Sequence, residues 1–195
     1  MGENGIYGSV EKEYNKASMA VDKKNYAYAI ELLSHVISIK PDFAGARQLL
    51  LIAGIRAFEA KPPNPVLKVF IWLSSFMRYL RAAVSETRGE NQKAMSVYEA
   101  ALAKDPKNVR LLVRLGALLN TEGMKEASAV TLEIALKISA KNAEALGILG
   151  DIYSGMGKYD RARACYKKVL GLKPHDASAE RGLKNLDALT TIDTL

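Results

Sequence analysis

Residues 143–176 read AEALGILGDIYSGMGKYDRARACYKKVLGLKPHD, and their pattern recurs upstream at a spacing of 34 residues. Gly89, Gly123 and Gly157 fall in step, as do Leu102, Leu136 and Leu170, and Pro106, Ala140 and Pro174. Leu115, Leu149 and Leu183 carry a fourth column into the last segment. Four columns in phase define an internal repeat. Within the quoted stretch, Leu146, Leu149, Ile152 and Tyr153 share one face of a first helix, which Gly155 and Gly157 interrupt. Ala162, Cys165, Tyr166, Val169 and Leu170 line a second helix, and Pro174 prevents its continuation. Each such unit buries its apolar face only by stacking on the next, so the pattern predicts a binding scaffold rather than a closed pocket.

The unit at 109–142 repeats the arrangement. Leu112, Leu115, Gly116 and Leu119 lie in one helix, Gly123 makes a turn, and Ala127, Leu132, Ala135 and Leu136 lie in the next. Small residues at Gly116 and Gly150 let the two helices of a pair approach closely. Gly89, Ala94, Tyr98, Ala101 and Pro106 fit the second helix of a further unit, and Tyr26, Ala29, Leu33, Val36 and Pro41 fit one more. By these residues the chain resembles the tetratricopeptide repeat family. Leu146, Leu149, Gly150, Tyr153, Ala162, Tyr166 and Pro174 match its signature columns. Val169 stands where the family expects alanine, and Ser128, Leu132 and Ala140 are weaker matches. The resemblance implies an all-α fold: a right-handed α-α superhelix of about ten helices in antiparallel hairpins, closed by a C-terminal capping helix.

The expected organisation is a tail at 1–9, a first repeat at 10–43, irregular repeats at 44–108, repeats at 109–142 and 143–176, a capping helix at 177–189 and a tail at 190–195. The irregularity is arithmetic. Pro41 to Pro106 is 65 residues, three short of two periods. Residues 44–60 read as a first helix that KPPNP at 61–65 stops. A basic amphipathic helix follows at 66–84, with Phe70, Leu73, Phe76, Met77, Leu80 and Val84 on an apolar arc and Lys68, Ser74, Ser75, Arg78 and Arg81 on the other side. Its longest uncharged stretch, Val69 to Met77, is too short to cross a bilayer. Apolar stripes on helices are usually core. The expectation is therefore that Trp72, Phe76 and Leu80 are shielded by packing into the array. A helix lying on a membrane surface through Lys68, Trp72, Arg78 and Arg81 is the alternative.

The composition, 49% hydrophobic and 25% charged, belongs to a folded chain. A single cysteine excludes an internal disulfide framework and fits a reducing compartment, the cytoplasm. The first ten residues show neither the basic nor the apolar region of a secretory leader, and Ile6 breaks a myristoylation motif at Gly2. The net charge is +7, and residues 61–93 hold six basic groups against two acidic ones. Such an excess favours acidic proteins, anionic membrane or nucleic acid as partners. Nucleic acid ranks last, because no aromatic residues interleave with a basic strip.

The sequence holds no constellation for chemistry. His35 and His175 are the only histidines, and with Cys165 they lack metal-ligand spacing. Cys165 occupies a packing position, and Gly147, Gly150, Gly155 and Gly157 are repeat punctuation and not a phosphate loop. The expectation is a chain without catalytic activity, cofactor or metal.

The family resemblance implies a concave groove lined by the first helix of each unit, taking an extended peptide or a helix of a partner protein. Carried over, that groove contains Arg110, Val113, Arg114, Ala117 and Asn120, then Glu144, Asp151 and Ser154, then Arg181 and Asn185. Arg110 and Arg114, four apart on one helix face, resemble half of a carboxylate clamp and suit an acidic segment. The preceding helix offers Tyr79, Leu80 and Ala83 where the clamp needs a lysine and asparagines, so the clamp is incomplete. The alternative for the two arginines is plain solvated surface charge. Overall the expected function is a non-catalytic scaffold or adaptor, with peripheral membrane association through 66–84 as the alternative and self-association left open.

Overall fold

The computed structural model describes residues 3–192, with side chains described over 8–189. Among the described residues there are ten α-helices and no strand. The chain divides into two compact units, Met1–Thr131 and Leu132–Leu195.

In the first unit, α1 (Glu3–Asp22) pairs with α2 (Tyr26–Ile39), and α3 (Ala44–Ala60) packs on α2. Val10, Ala17 and Val21 recur at helical spacing and meet Leu33, Val36 and Ile37 of α2 and Ala46 and Ala53 of α3 in one buried cluster. KPPNP then ends α3, and Asn64 starts α4 (Pro65–Thr87) by accepting a hydrogen bond from the Leu67 amide at 2.7 Å, with Pro65 at the first helical position. α4 pairs with α5 (Asn91–Leu102), and α6 (Val109–Thr121) packs on α5. α7 (Lys125–Ile138) follows, and the buried Ser128 hydroxyl donates to the Gly116 carbonyl at 2.6 Å. In the second unit α8 (Ala143–Gly155) and α9 (Tyr159–Leu172) form a hairpin, and α10 (Ala177–Ile192) packs on both.

The repeat is punctuated at both ends of its first helix. Gly89, Gly123 and Gly157 adopt positive φ of 74°, 80° and 71°, the left-handed turn that a residue without Cβ adopts at least cost. Lys24 takes the same conformation between α1 and α2. The starts form a second column: Asn108, Asn142 and Asp176 accept from the amides of Leu111, Ala145 and Ala179 at 3.3, 2.8 and 3.0 Å.

Three expectations change. α1 begins at Glu3, so residues 3–9, expected as tail, are helical: they hold no proline, and isolated glycines cost only about 1 kcal/mol each in a helix. α10 runs to Ile192, beyond the expected end of the cap; residues 1–2 and 193–195 of the expected tails lie outside the described residues. The largest change concerns α4. Its buried residues are Ser75, Ala82 and Ser85, whereas Trp72 is 62% exposed, Phe76 39% and Leu80 43%. The small side of the helix packs, because small residues allow the closest approach to α5. α4 is also 23 residues long against 12 in α5, and none of residues 65–74 is buried.

Candidate binding surface

On α6 the expected basic pair is divided between two roles. The half-buried Arg114 guanidinium donates to one oxygen of Glu86, at the end of α4, and the Tyr98 hydroxyl of α5 donates to the other. One carboxylate therefore joins three helices, and Arg114 already has the partner that a ligand was expected to supply. Burial, then the hydrogen bond to Glu86, pushes the Tyr98 pKa up. The Nε of Arg114 is buried with no hydrogen-bond partner among the described residues. Arg110 remains exposed, its guanidinium 5.5 Å from the ring centroid of Tyr79, which itself lies 6.3 Å from Tyr98. Among the described residues Arg110 forms no ion pair.

Val113 leaves the expected set. It is only 2% exposed, one of seven buried residues on α6, because this helix is covered on more than one side. Ala117 and Asn120 continue the Arg110 face and are half-buried. In the second unit Glu144 and Asp151 are exposed and Ser154 is half-buried along α8. Arg181 and Asn185 are exposed on α10, with the Arg181 Nε donating to the Ala177 carbonyl at 3.2 Å. Asp151 accepts from the Tyr166 hydroxyl at 2.7 Å, so this exposed acid of α8 also anchors a core ring.

The same device recurs at Tyr153, whose hydroxyl donates to Glu133. Burial, then Glu133, pushes its pKa up to about 12. Glu86, Glu133 and Asp151 thus serve as acceptors for packed tyrosines. Periodicity misses them, because each bond joins positions on different helices.

A cavity of about 770 Å³ opens in the first unit between α2, α3 and α5. Arg47 lies in its wall, 2% exposed, bonded to Glu99 at 2.7 Å and to the Pro41 carbonyl at 3.3 Å. The cavity sits where the register loses three residues and α3 passes to α4 without a second helix of its own. That arithmetic was the signal for it. The described residues include no cluster suited to a metal and no helix long and apolar enough to cross a membrane. Cys165 is buried, and burial raises its thiol pKa.

Residues 77–118 and 143–176 each match the family described as tetratricopeptide repeat. Tetratricopeptide repeat protein 7A of Homo sapiens is 28% identical over 95 residues, 49% of this chain; the chain spans 11% of that relative's length. Among solved structures, the Sgt2 TPR domain from Aspergillus fumigatus superposes with a TM-score of 0.58 at 23% identity, covering 68% of this chain and 83% of that one. The first TPR of Spaghetti (RPAP3), bound to the HSP90 peptide SRMEEVD, gives a TM-score of 0.60 at 16% identity, covering 61% and 94%. Two segments of the chain thus match tetratricopeptide repeats, and its all-helical fold resembles that of solved TPR domains.

Proposed function

We propose that this chain is a protein-interaction scaffold whose first helices receive an extended segment or helix of a partner protein. The observation that carries this reading is the exposed Arg110, laid on Tyr79 beside the half-buried Arg114 on the side of α6 that faces α4. A cation held on an aromatic face loses little freedom when it meets a carboxylate, so an acidic segment suits it. The fold neighbour solved with SRMEEVD, a peptide rich in acids, supports the same partner chemistry. Ala117 and Asn120 extend the surface along α6. Glu144, Asp151, Ser154, Arg181 and Asn185 offer a second, mixed-charge surface in the other unit. Arg114 contributes by keeping Glu86 from repelling the ligand, since its charge already balances that carboxylate.

The test is an array of acidic and neutral peptides probed with the intact chain and with Arg110→Glu. The expected result is selection of acidic segments, with binding weakened about tenfold in the variant and less sensitive to salt. Equal binding by the variant would place the working surface elsewhere.

A further inference from the structure

The apolar arc of α4 has no cover in the first unit. Val66, Phe70, Leu73, Met77, Leu80 and Val84 recur at steps of three and four residues and are all exposed, and Val69 and Phe76 widen the stripe on one side. The helix cannot roll to hide it. Its opposite side is committed to α5 through Ser75, Ala82 and Ser85, and its last turn is held by the bonds that Glu86 accepts from Tyr98 and Arg114. We propose that this stripe is a docking face for an anionic lipid surface, on which α4 lies in the plane of the headgroups.

Charge selects that occupant. From Lys61 to Ser85 the chain holds Lys61, Lys68, Arg78 and Arg81 and no aspartate or glutamate. Among the described residues none of these four cations forms an ion pair. The next acids are neutralised within the fold, Glu86 by Arg114 and Glu90 by Lys93 at 2.9 Å. The segment that carries the stripe is therefore uniformly positive, and an anionic headgroup layer supplies the counter-charge while its acyl boundary accepts the apolar residues. A second copy of the chain would set four cations against four.

Shape agrees. A partner helix covers a narrow seam, whereas Val69, Phe76 and Trp72 lie outside the seam formed by the six residues above. A planar boundary covers the whole arc. Trp72 stacks on Phe76 with ring centroids 6.0 Å apart at the edge of the arc, an amphipathic ring where such rings settle at headgroup depth. No described helix is long and apolar enough to cross a membrane, and the proposed contact is one of lying on the surface.

The intact chain is tested by co-sedimentation with phosphatidylcholine vesicles, with and without phosphatidylserine. Trp72, the only tryptophan, reports on the stripe alone. The expected result is binding to phosphatidylserine vesicles at least about tenfold tighter than to neutral ones, with a blue shift of the Trp72 emission. Phe70→Asp/Leu73→Asp should abolish both signals with unchanged circular dichroism. Lys68→Glu/Arg81→Glu, which leaves the apolar stripe whole, should lower binding to the level of neutral vesicles. Unmoved emission without co-sedimentation overturns the proposal, as does equal binding to both lipids or full binding by either variant. A dimer in light scattering that Phe70→Asp/Leu73→Asp dissolves, with no vesicle binding by the wild-type chain, would assign the stripe to a second copy instead.

Discussion

Tyr166 is clasped between two glycines. A Cβ built on Gly150 would stand 2.6 Å from its Cε1, and one built on Gly182 would stand 2.5 Å from its Cζ. The ring has little freedom to yield, since its hydroxyl is also held by Asp151 at 2.7 Å. Gly150→Leu should therefore overpack the α8–α9 contact and cost about 1–3 kcal/mol, read as a lower urea midpoint. An unchanged midpoint would show that Tyr166 leaves without cost. Gly150 was legible beforehand, because it sits in phase with Gly116 in a column of small residues. Gly182 was not, because it lies in the capping helix, outside the columns, and its role is set by how α10 seats on α9. Arg114 was half legible: its side of α6 followed from spacing, but its partner Glu86 did not, since that bond crosses 28 positions.

Among the elements, α4 shows where pattern reading stops. An amphipathic pattern shows that a helix has two faces; which face meets the rest of the chain depends on the partner opposite. Here α5 is about half as long and accepts the small-residue side, so the large residues remain in water. Truncating Phe76 to Ala should then cost less than about 1 kcal/mol, against the roughly 3–5 kcal/mol of a core phenylalanine. Chemical denaturation of that variant decides between the two. Trp72 emission in the lipid-free protein should likewise be that of a wet indole, and acrylamide should quench it readily. The α8–α9 hairpin was legible because its helices, 13 and 14 residues long, are near the length of half a period, so apolar face and buried face coincide.

At the scale of the whole molecule, tyrosines couple the fold to alkaline pH. Tyr98, Tyr153 and Tyr166 all have their pKa raised by burial and then by the carboxylate each one bonds. A folded-state pKa above the unfolded value means the native chain holds its phenolic protons more tightly. Stability is complete below the ordinary tyrosine value of about 10 and falls as pH rises from there. Loss of helical ellipticity should accompany the rise of tyrosinate absorbance through about pH 12, the Tyr153 value. Ionisation complete well before any loss of helix would break the link. The repeat class and its helices were open to reading because the 34-residue period is carried by residue types with fixed conformational roles. The asparagine and aspartate starts and the glycine stops keep that period. They make the length of this chain a quantised variable: a whole period can be gained or lost with every start and stop still in phase. A change of three residues cannot, and the segment between Pro41 and Pro106 bears the mark of one, a helix without a mate, a helix left wet, and a hollow walled by α2, α3 and α5.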